Sequence, residues 1–405
     1  MSRESLAKLL IVVVTAAVCG GLLWWSQAHA PAADSAAPAA FGGSSEVPGG
    51  ESGEDPGGAL PAGAAGTHML DPASLPGTVL DEETAKTLFR GLRDGKRQMY
   101  DPVAWAVLRP NNTTEWKWAE HPTGKIVAIT NNLGFREDAD TQVEKQGPRI
   151  LVAGDSHTDG IVWNKESFAN VLEDRLDARP GAAHCEVINA GVGATGPQNY
   201  LGTLKNNLYL KPDIFIAVLF TGNDFMNALM VSDFFTKRKE NKPAQIKDYQ
   251  RTMLDANKKW GPVVVDRFNQ PLKFWRFPDE ADVALQAALD AYLEMARLCS
   301  EEHIEFVAVI LPTKPDVDTD ELQTYHDLIE SMHMTEEQFR INARLGERLA
   351  EALRAQGVRV LELAPGLRAD AGVPHYWVKD WHLAIAGHAV VAGLLQEVVE
   401  PLLPR

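Results

Sequence analysis

From about residue 68 onward, short apolar runs alternate with longer stretches in which apolar positions recur every three or four residues. The runs at 150–153, 186–189, 214–220, 306–311 and 359–363 are mostly β-branched and have the length of buried strands. The stretches 82–99, 167–176, 200–208, 283–299, 336–356 and 385–398 carry helical spacing. Strands alternating with helices predict an α/β fold of three layers, α/β/α, with a mainly parallel central sheet. Ligands of such sheets sit beyond the carboxyl ends of the strands, so the residues that follow each strand are where chemistry is expected.

The first 67 residues follow neither pattern. Leu9 to Trp25 has no charged residue and is preceded by Arg3 and Lys8. As a helix it spans about 26 Å, a little short of a ~30 Å hydrocarbon core, and it is long for the apolar segment of a cleaved signal. Residues 1–30 are therefore expected to be a membrane anchor, or a signal peptide cleaved after Ala30 in the Ala28-His29-Ala30 sequence; a lipoprotein arrangement at Cys19 fits less well behind Val18. Residues 31–67 are rich in Ala, Pro, Gly and Ser and too poor in large apolar side chains to offset their ordering entropy. They are expected to form a disordered tether that carries the folded part, 68–405, outside the cytoplasm.

The formal net charge is −16, and no basic run is interleaved with aromatics, so nucleic acid is excluded as a partner. Cys19, Cys185 and Cys299 have neither disulfide-framework nor zinc spacing.

Four expected strand ends carry reactive residue types. Gly154-Asp155-Ser156-His157 follows the first strand, Gly191-Val192-Gly193-Ala194-Thr195-Gly196 the second, and Thr221-Gly222-Asn223-Asp224 the third. Asp380-Trp381-His382 follows an extended stretch near 375–378. A serine becomes nucleophilic at neutral pH when a histidine takes its proton and a carboxylate orients that histidine. Acyl transfer also needs donors aimed at the developing oxyanion, and a glycine-rich backbone turn and an asparagine amide are suitable.

These blocks resemble those of the SGNH/GDSL hydrolase superfamily and its flavodoxin-like fold, over roughly residues 104–400. The resemblance implies Ser156 as nucleophile, His382 as base and Asp380 as its orienting acid. It implies an oxyanion hole from the backbone N–H of Ser156, that of Gly193 or Ala194, and the side chain of Asn223. Asn132-Leu133-Gly134-Phe135-Arg136 is similar to a lead-in found in exported members related to polysaccharide O-acetyltransferases. The spacing of Asp380 and His382, with one residue between them instead of two, also occurs in those relatives. Counted from Asn189, the family's donor glycine falls on Ala194, where a positive φ is less readily adopted.

The implied activity is a serine esterase acting on small acyl esters, acetyl above all, on an ester or acylated carbohydrate, with no cofactor and no metal. An O-acyltransferase uses the same machinery, and a catalytically inert carbohydrate-binding or assembly protein is the rival from another class. Other readings carry less. Gly191 to Gly196 has the form G-x-G-x-x-G, but Asp213 precedes its strand and Pro197 follows the last glycine, which disfavours a dinucleotide site. His375, Asp380, His382 and His388 are a conceivable metal set. Asp155, His157 and His388 read as structural. Residues 225–280 break the strand-helix rhythm and are expected to be an insertion over the active site. Its Phe234, Phe235, Trp260, Phe268, Phe274, Trp275 and Phe277 fit equally a sugar-stacking surface or a satellite apolar cluster.

Overall fold

The computed structural model describes residues 80–404, except 180, 182, 183, 237–242, 319 and 371, and the backbone alone at 243–245 and 262–266. The expected anchor or signal at 1–30, the tether at 31–67 and Cys19 lie outside the described residues.

The described chain opens with helix α1 (Glu82–Leu88), which Asp81 caps by accepting from Thr84 N. Two antiparallel hairpins follow, β1 (Gln98–Asp101) with β2 (Trp105–Leu108), and β3 (Thr113–Lys117) with β4 (Lys125–Ile129). The expected helix over 82–99 is thus wrong beyond Leu88. Phe89 turns extended, Gly95 takes φ +61°, and a Cβ on Gly91 would collide with the Gln98 side chain at 1.9 Å. Helical spacing persists in the sequence past Leu88, where Gly91 and Gly95 favour turns over a continued helix.

The central sheet is built from β5 (Arg149–Gly154), β6 (Glu186–Asn189), β7 (Ile214–Phe220), β8 (Glu305–Leu311) and β9 (Arg359–Glu362), in the order β6-β5-β7-β8-β9, every pair parallel. All five lie within a residue or so of the expected runs. Alternate residues of β7 feed two cores. Phe215, Ala217 and Leu219 pack with α4 (Pro197–Asn207), α5 (Asp224–Thr236), α8 (Pro278–Glu301) and α9 (Ile341–Ala355) on one face. Ile214, Ile216 and Val218 pack with α3 (Phe168–Asp177) and α10 (Ile385–Val399) on the other. That two-sided burial explains why the strands read as continuous apolar runs. Pro197 and Pro278 begin α4 and α8, where a missing N–H costs no helical bond, so both helices start earlier than the periodicity suggested.

Between β7 and α8 the described residues form the helices α5, α6 (Pro243–Trp260) and α7 (Pro262–Arg276). The expected helix over 336–356 is two, Glu336–Phe339 and α9, with a break at Arg340. Phe339 belongs to a satellite cluster with Phe268, Tyr325 and Trp381, whereas Leu345 and Leu349 face the main core. Among the described residues one helical stretch, Ile385–Leu402, is long and apolar enough to cross a membrane. It is weak evidence of a span, because Val391, Ala392, Leu395 and Val399 are buried against the sheet as core residues.

Candidate active site at the carboxyl edge of the sheet

Strand β5 ends at Gly154, where any side chain would meet Thr158 Oγ1 at 2.0 Å and the carbonyl of Val218 at 3.1 Å. Asp155 then caps the short helix α2 (Ser156–Asp159), its Oδ1 accepting from His157 N at 2.8 Å. Ser156 is lifted to the sheet's edge, partly exposed. The structure brings the sequence-predicted Ser156, His382 and Asp380 together: His382 Nε2 lies 2.8 Å from Ser156 Oγ, and its Nδ1 is hydrogen-bonded to Asp380 Oδ1. With Nδ1 donating to the carboxylate, Nε2 is the free acceptor that a serine proton requires.

Asp380 and His382 reach this arrangement through an unusual turn. Trp381, buried between them, holds φ at +67°, and His382 N donates to Asp380 Oδ1 at 3.3 Å. The loop has little sheet beneath it, only the bridge between Tyr376 and Leu383. Other parts of the chain hold it. Tyr376 Oη donates to the carbonyl of Pro312 at 2.7 Å and Trp377 Nε1 to that of Ile161 at 3.1 Å. The Glu120 carboxylate, from the turn between β3 and β4, accepts from Val378 N at 2.6 Å and Lys379 N at 3.1 Å.

Burial pushes the His382 ring toward the neutral form, but the charge and hydrogen bond of Asp380 outweigh it and leave the ring above its ordinary range. Asp380 answers in kind: burial raises it, and His382 brings it below the usual carboxylate range. Behind the serine, burial pushes Asp155 up to about 6. His157 is driven well below its ordinary value by burial, so it is neutral. It stacks on His382 and Phe220, with ring centroids 4.6 and 3.9 Å away, and Nδ1 receives Leu383 N at 3.4 Å.

Gly193 faces the serine: a Cβ there would stand 3.6 Å from Ser156 Cβ and 3.8 Å from Gln98 Nε2. Ala194 takes φ +61°, the left-handed conformation that a glycine adopts freely. Neither backbone N–H donates to an acceptor among the described residues, and Gln98 Nε2 fixes the turn by donating to Gly193 O at 2.7 Å. Asn223 stands at the end of β7, with no side-chain hydrogen bond among the described residues and its Oδ1 buried. Its turn is closed by Asp224, whose Oδ2 accepts from Phe220 N and Tyr200 Oη, both at 2.8 Å.

Sequence reasoning missed several of these supports. Gln98 and Arg97 fell inside the supposed helix. Arg97 forms a bidentate pair with buried Asp159, which Arg136 also contacts at 3.0 Å. The two cations outweigh burial and lower Asp159 below the usual range. Arg136, fully buried, also donates to Asn164 Oδ1 and to the carbonyls of Gly160 and Val162. The lead-in motif thus pins the loop that follows Ser156. The four residues considered as a metal set do not converge. His375 Nε2 is bonded to the carbonyl of Asp370, and His388 accepts from Phe168 N while burial pushes it down to about 3. No cluster of three metal-ligating side chains occurs among the described residues. Within residues 225–280, Phe268, Phe274 and Phe277 are buried, Phe268 in the satellite cluster and Phe274 in the main core, which disfavours a sugar platform for those three; Phe234 and Trp275 are exposed.

A parallel five-stranded sheet flanked by helices is the architecture of an SGNH/GDSL-type protein. The GDSL-like Lipase/Acylhydrolase family matches residues 152–390, more than half of the chain, and the chain belongs to that family. Membership carries a general hydrolase or esterase activity. Among solved structures the chain is similar to an acetylxylan esterase from Geobacillus stearothermophilus (a catalytic mutant), at 10% identity over 64% of this chain and 96% of that one, TM-score 0.39. It is likewise similar to a lipase/acylhydrolase from Enterococcus faecalis, at 13% identity over 64% and 97%, TM-score 0.36. An α/β hydrolase from the metagenome of Lake Arreo, Spain, matches at 13% identity over 65% and 100%, TM-score 0.37. Likeness at this level bears on neither substrate nor residue roles. No curated protein matches the chain.

Proposed function

We propose that the protein is an exported serine esterase that removes small acyl groups, acetyl above all, from an ester-bearing substrate such as an acylated carbohydrate. Ser156 Oγ attacks the ester carbonyl carbon as its proton passes to His382 Nε2, with Asp380 orienting the ring and balancing the charge it gains. The proton then goes to the departing alcohol oxygen, leaving an acyl-serine. Water, deprotonated by the same histidine, attacks that acyl group, and the carboxylic acid leaves as Ser156 recovers its proton. The N–H groups of Ser156 and of Gly193 or Ala194, with the Asn223 side chain, receive the oxyanion. The observation that carries the proposal is the 2.8 Å contact between His382 Nε2 and Ser156 Oγ, with Asp380 bonded to the opposite ring nitrogen.

Transfer of the acyl group to a sugar hydroxyl is the second reading, favoured by the single residue between Asp380 and His382. In either case the segment 1–30 would anchor or export the domain, and 31–67 would give it reach. The test is the Ser156→Ala protein. It should keep its fold by circular dichroism and lose cleavage of a chromogenic acetyl ester, and the wild type assayed with oligosaccharide acceptors should separate hydrolysis from transfer. Substantial cleavage by folded Ser156→Ala sinks the proposal.

A further inference from the structure

Arg267 is a charged side chain to which the mechanism gives no task. It stands on α7, and its guanidinium carbon lies 4.8 Å from the centroid of the Trp381 ring. Trp381 is the one residue between Asp380 and His382, and a bulky residue rarely holds a positive φ unaided. It is held from several sides. Its Nε1 donates to Glu321 Oε1 at 3.1 Å, Glu321 is paired with Lys314 at 2.8 Å, and the ring packs against Tyr325 and Phe268 at 5.3 and 5.8 Å. Arg267 covers the indole, with its Nη2 buried and without a hydrogen-bond partner. A guanidinium so placed acts through stacking and charge, which partial desolvation strengthens.

The helix that carries it is also tied to the other side of the site. Gln270, one turn further along α7, is buried and donates to the carbonyl of Thr221 at 2.7 Å, two residues before Asn223, while accepting from Met226 N at 3.0 Å. Residues three apart share a helix face, so one face of α7 meets both the asparagine turn and the acid–base loop.

The geometry points to Arg267 as a positioning residue for the acid–base pair, stacked on Trp381 so that the tight Asp380-Trp381-His382 turn is kept and a fixed positive charge stands beside it. This rests on reading Asp380 and His382 as the orienting acid and the base. The groups that face His382 are Asp380 on its own loop, Asp155 at the end of β5, neutral His157 on α2, neutral His388 on α10, and Arg267. Those that face Arg267 are Asp380, Tyr325, Glu321 and Glu120. The Arg267 charge lowers both Asp380 and His382, so its removal lets His382 keep its proton to higher pH.

The test follows the His382 ring directly, by NMR titration of the full-length protein with isotope-labelled histidine, the resonance assigned by its absence in His382→Gln. In Arg267→Gln and in Arg267→Met the His382 titration should move up by about half to one pH unit. The acid limb of kcat/KM for a chromogenic acetyl ester should move with it, and kcat should drop about tenfold while KM stays within about twofold. Arg267→Lys, which keeps the charge and loses the planar stack, should leave the titration in place and lower kcat. An unmoved His382 titration in a folded neutral variant, or a moved one in Arg267→Lys, overturns the assignment, as does a change confined to KM. The titration needs no turnover. Its failure therefore refutes Arg267 alone, whereas ester cleavage by Ser156→Ala refutes the reading of the site.

Discussion

Replacing Glu120 with alanine removes the acceptor that ties the loop before Asp380 to the second hairpin. The carboxylate receives two backbone N–H groups, Val378 at 2.6 Å and Lys379 at 3.1 Å, so the residue next to Asp380 is one of its donors. Charge-assisted bonds are worth about 1.5–3 kcal/mol each when sheltered. Here the carboxylate is partly exposed and Val378 is 62% exposed, so water replaces much of what is lost. A net anchoring of about 1–2 kcal/mol for the pair is the reasonable figure, equivalent to a factor of about 5–30 in the population that holds Asp380 in place. That factor is a ceiling on the fall in kcat, because the tyrosine, tryptophan and arginine contacts remain. Glu120 touches backbone, not substrate, so KM should stay within about twofold. Steady-state hydrolysis of a chromogenic acetyl ester at a pH where His382 is neutral measures both. Glu120→Gln keeps one acceptor oxygen and should fall between wild type and alanine. A kcat for Glu120→Ala within about twofold of wild type, or a change in KM alone, would refute the view that the hairpin positions the acid.

Asn223→Ala should lower kcat by about 10²–10³ with a much smaller change in KM, since one preorganised donor to the oxyanion is lost; a change in KM alone would move the oxyanion hole elsewhere. Asp155→Asn tests the buried carboxylate behind the serine. Its pKa rises from 3.8 in the unfolded chain to about 6 on folding, so the native state binds the proton more tightly. The contribution of Asp155 to stability is therefore fully present below pH 3.8 and is lost as pH rises through 6, by about 3 kcal/mol at most. Asp155→Asn, which keeps an oxygen for His157 N, should flatten that fall in urea denaturation followed from pH 4 to pH 8. An unchanged pH slope would show that the group is not strained.

The sheet was legible because its strands are buried on both faces, and a run such as Ile214–Phe220 has few other uses. The four motif blocks were legible because each follows a strand or a tight turn, where local sequence decides local structure. What escaped was set by distant packing. Arg97 and Gln98 lie some sixty or more residues before their partners Asp159 and Gly193, and nothing beside them in the chain announces those contacts. Glu120 is a surface carboxylate in a hairpin turn until the fold brings residues 378 and 379 to it, 258 and 259 positions away. The choice between Gly193 and Ala194 was framed correctly in the sequence, as a question of positive φ. The backbone answers that Ala194 takes the strained conformation while Gly193 faces the serine.

The distribution of these supports follows from a weakness in the sheet's own geometry. Strand ends deliver Ser156, the turn at 191–196 and Asn223 with little further help, because β5, β6 and β7 are hydrogen-bonded neighbours in one register. Asp380 and His382, the proposed acid and base, have no such delivery. Their loop is closed on itself by one isolated bridge, Tyr376 to Leu383, belongs to no strand of the sheet, and carries a tryptophan in a conformation it would not choose alone. A catalytic base must be held to within a fraction of an ångström to be useful. The missing rigidity has to come from outside the loop. It comes from both flanks: Glu120 on the hairpin that precedes the family's matched region, and Arg267 and Phe268 on the helices between β7 and α8. Those two segments are therefore expected to tolerate substitution worst where they touch residues 376–382, and best on their solvent faces, where Trp275 and Leu254 are exposed.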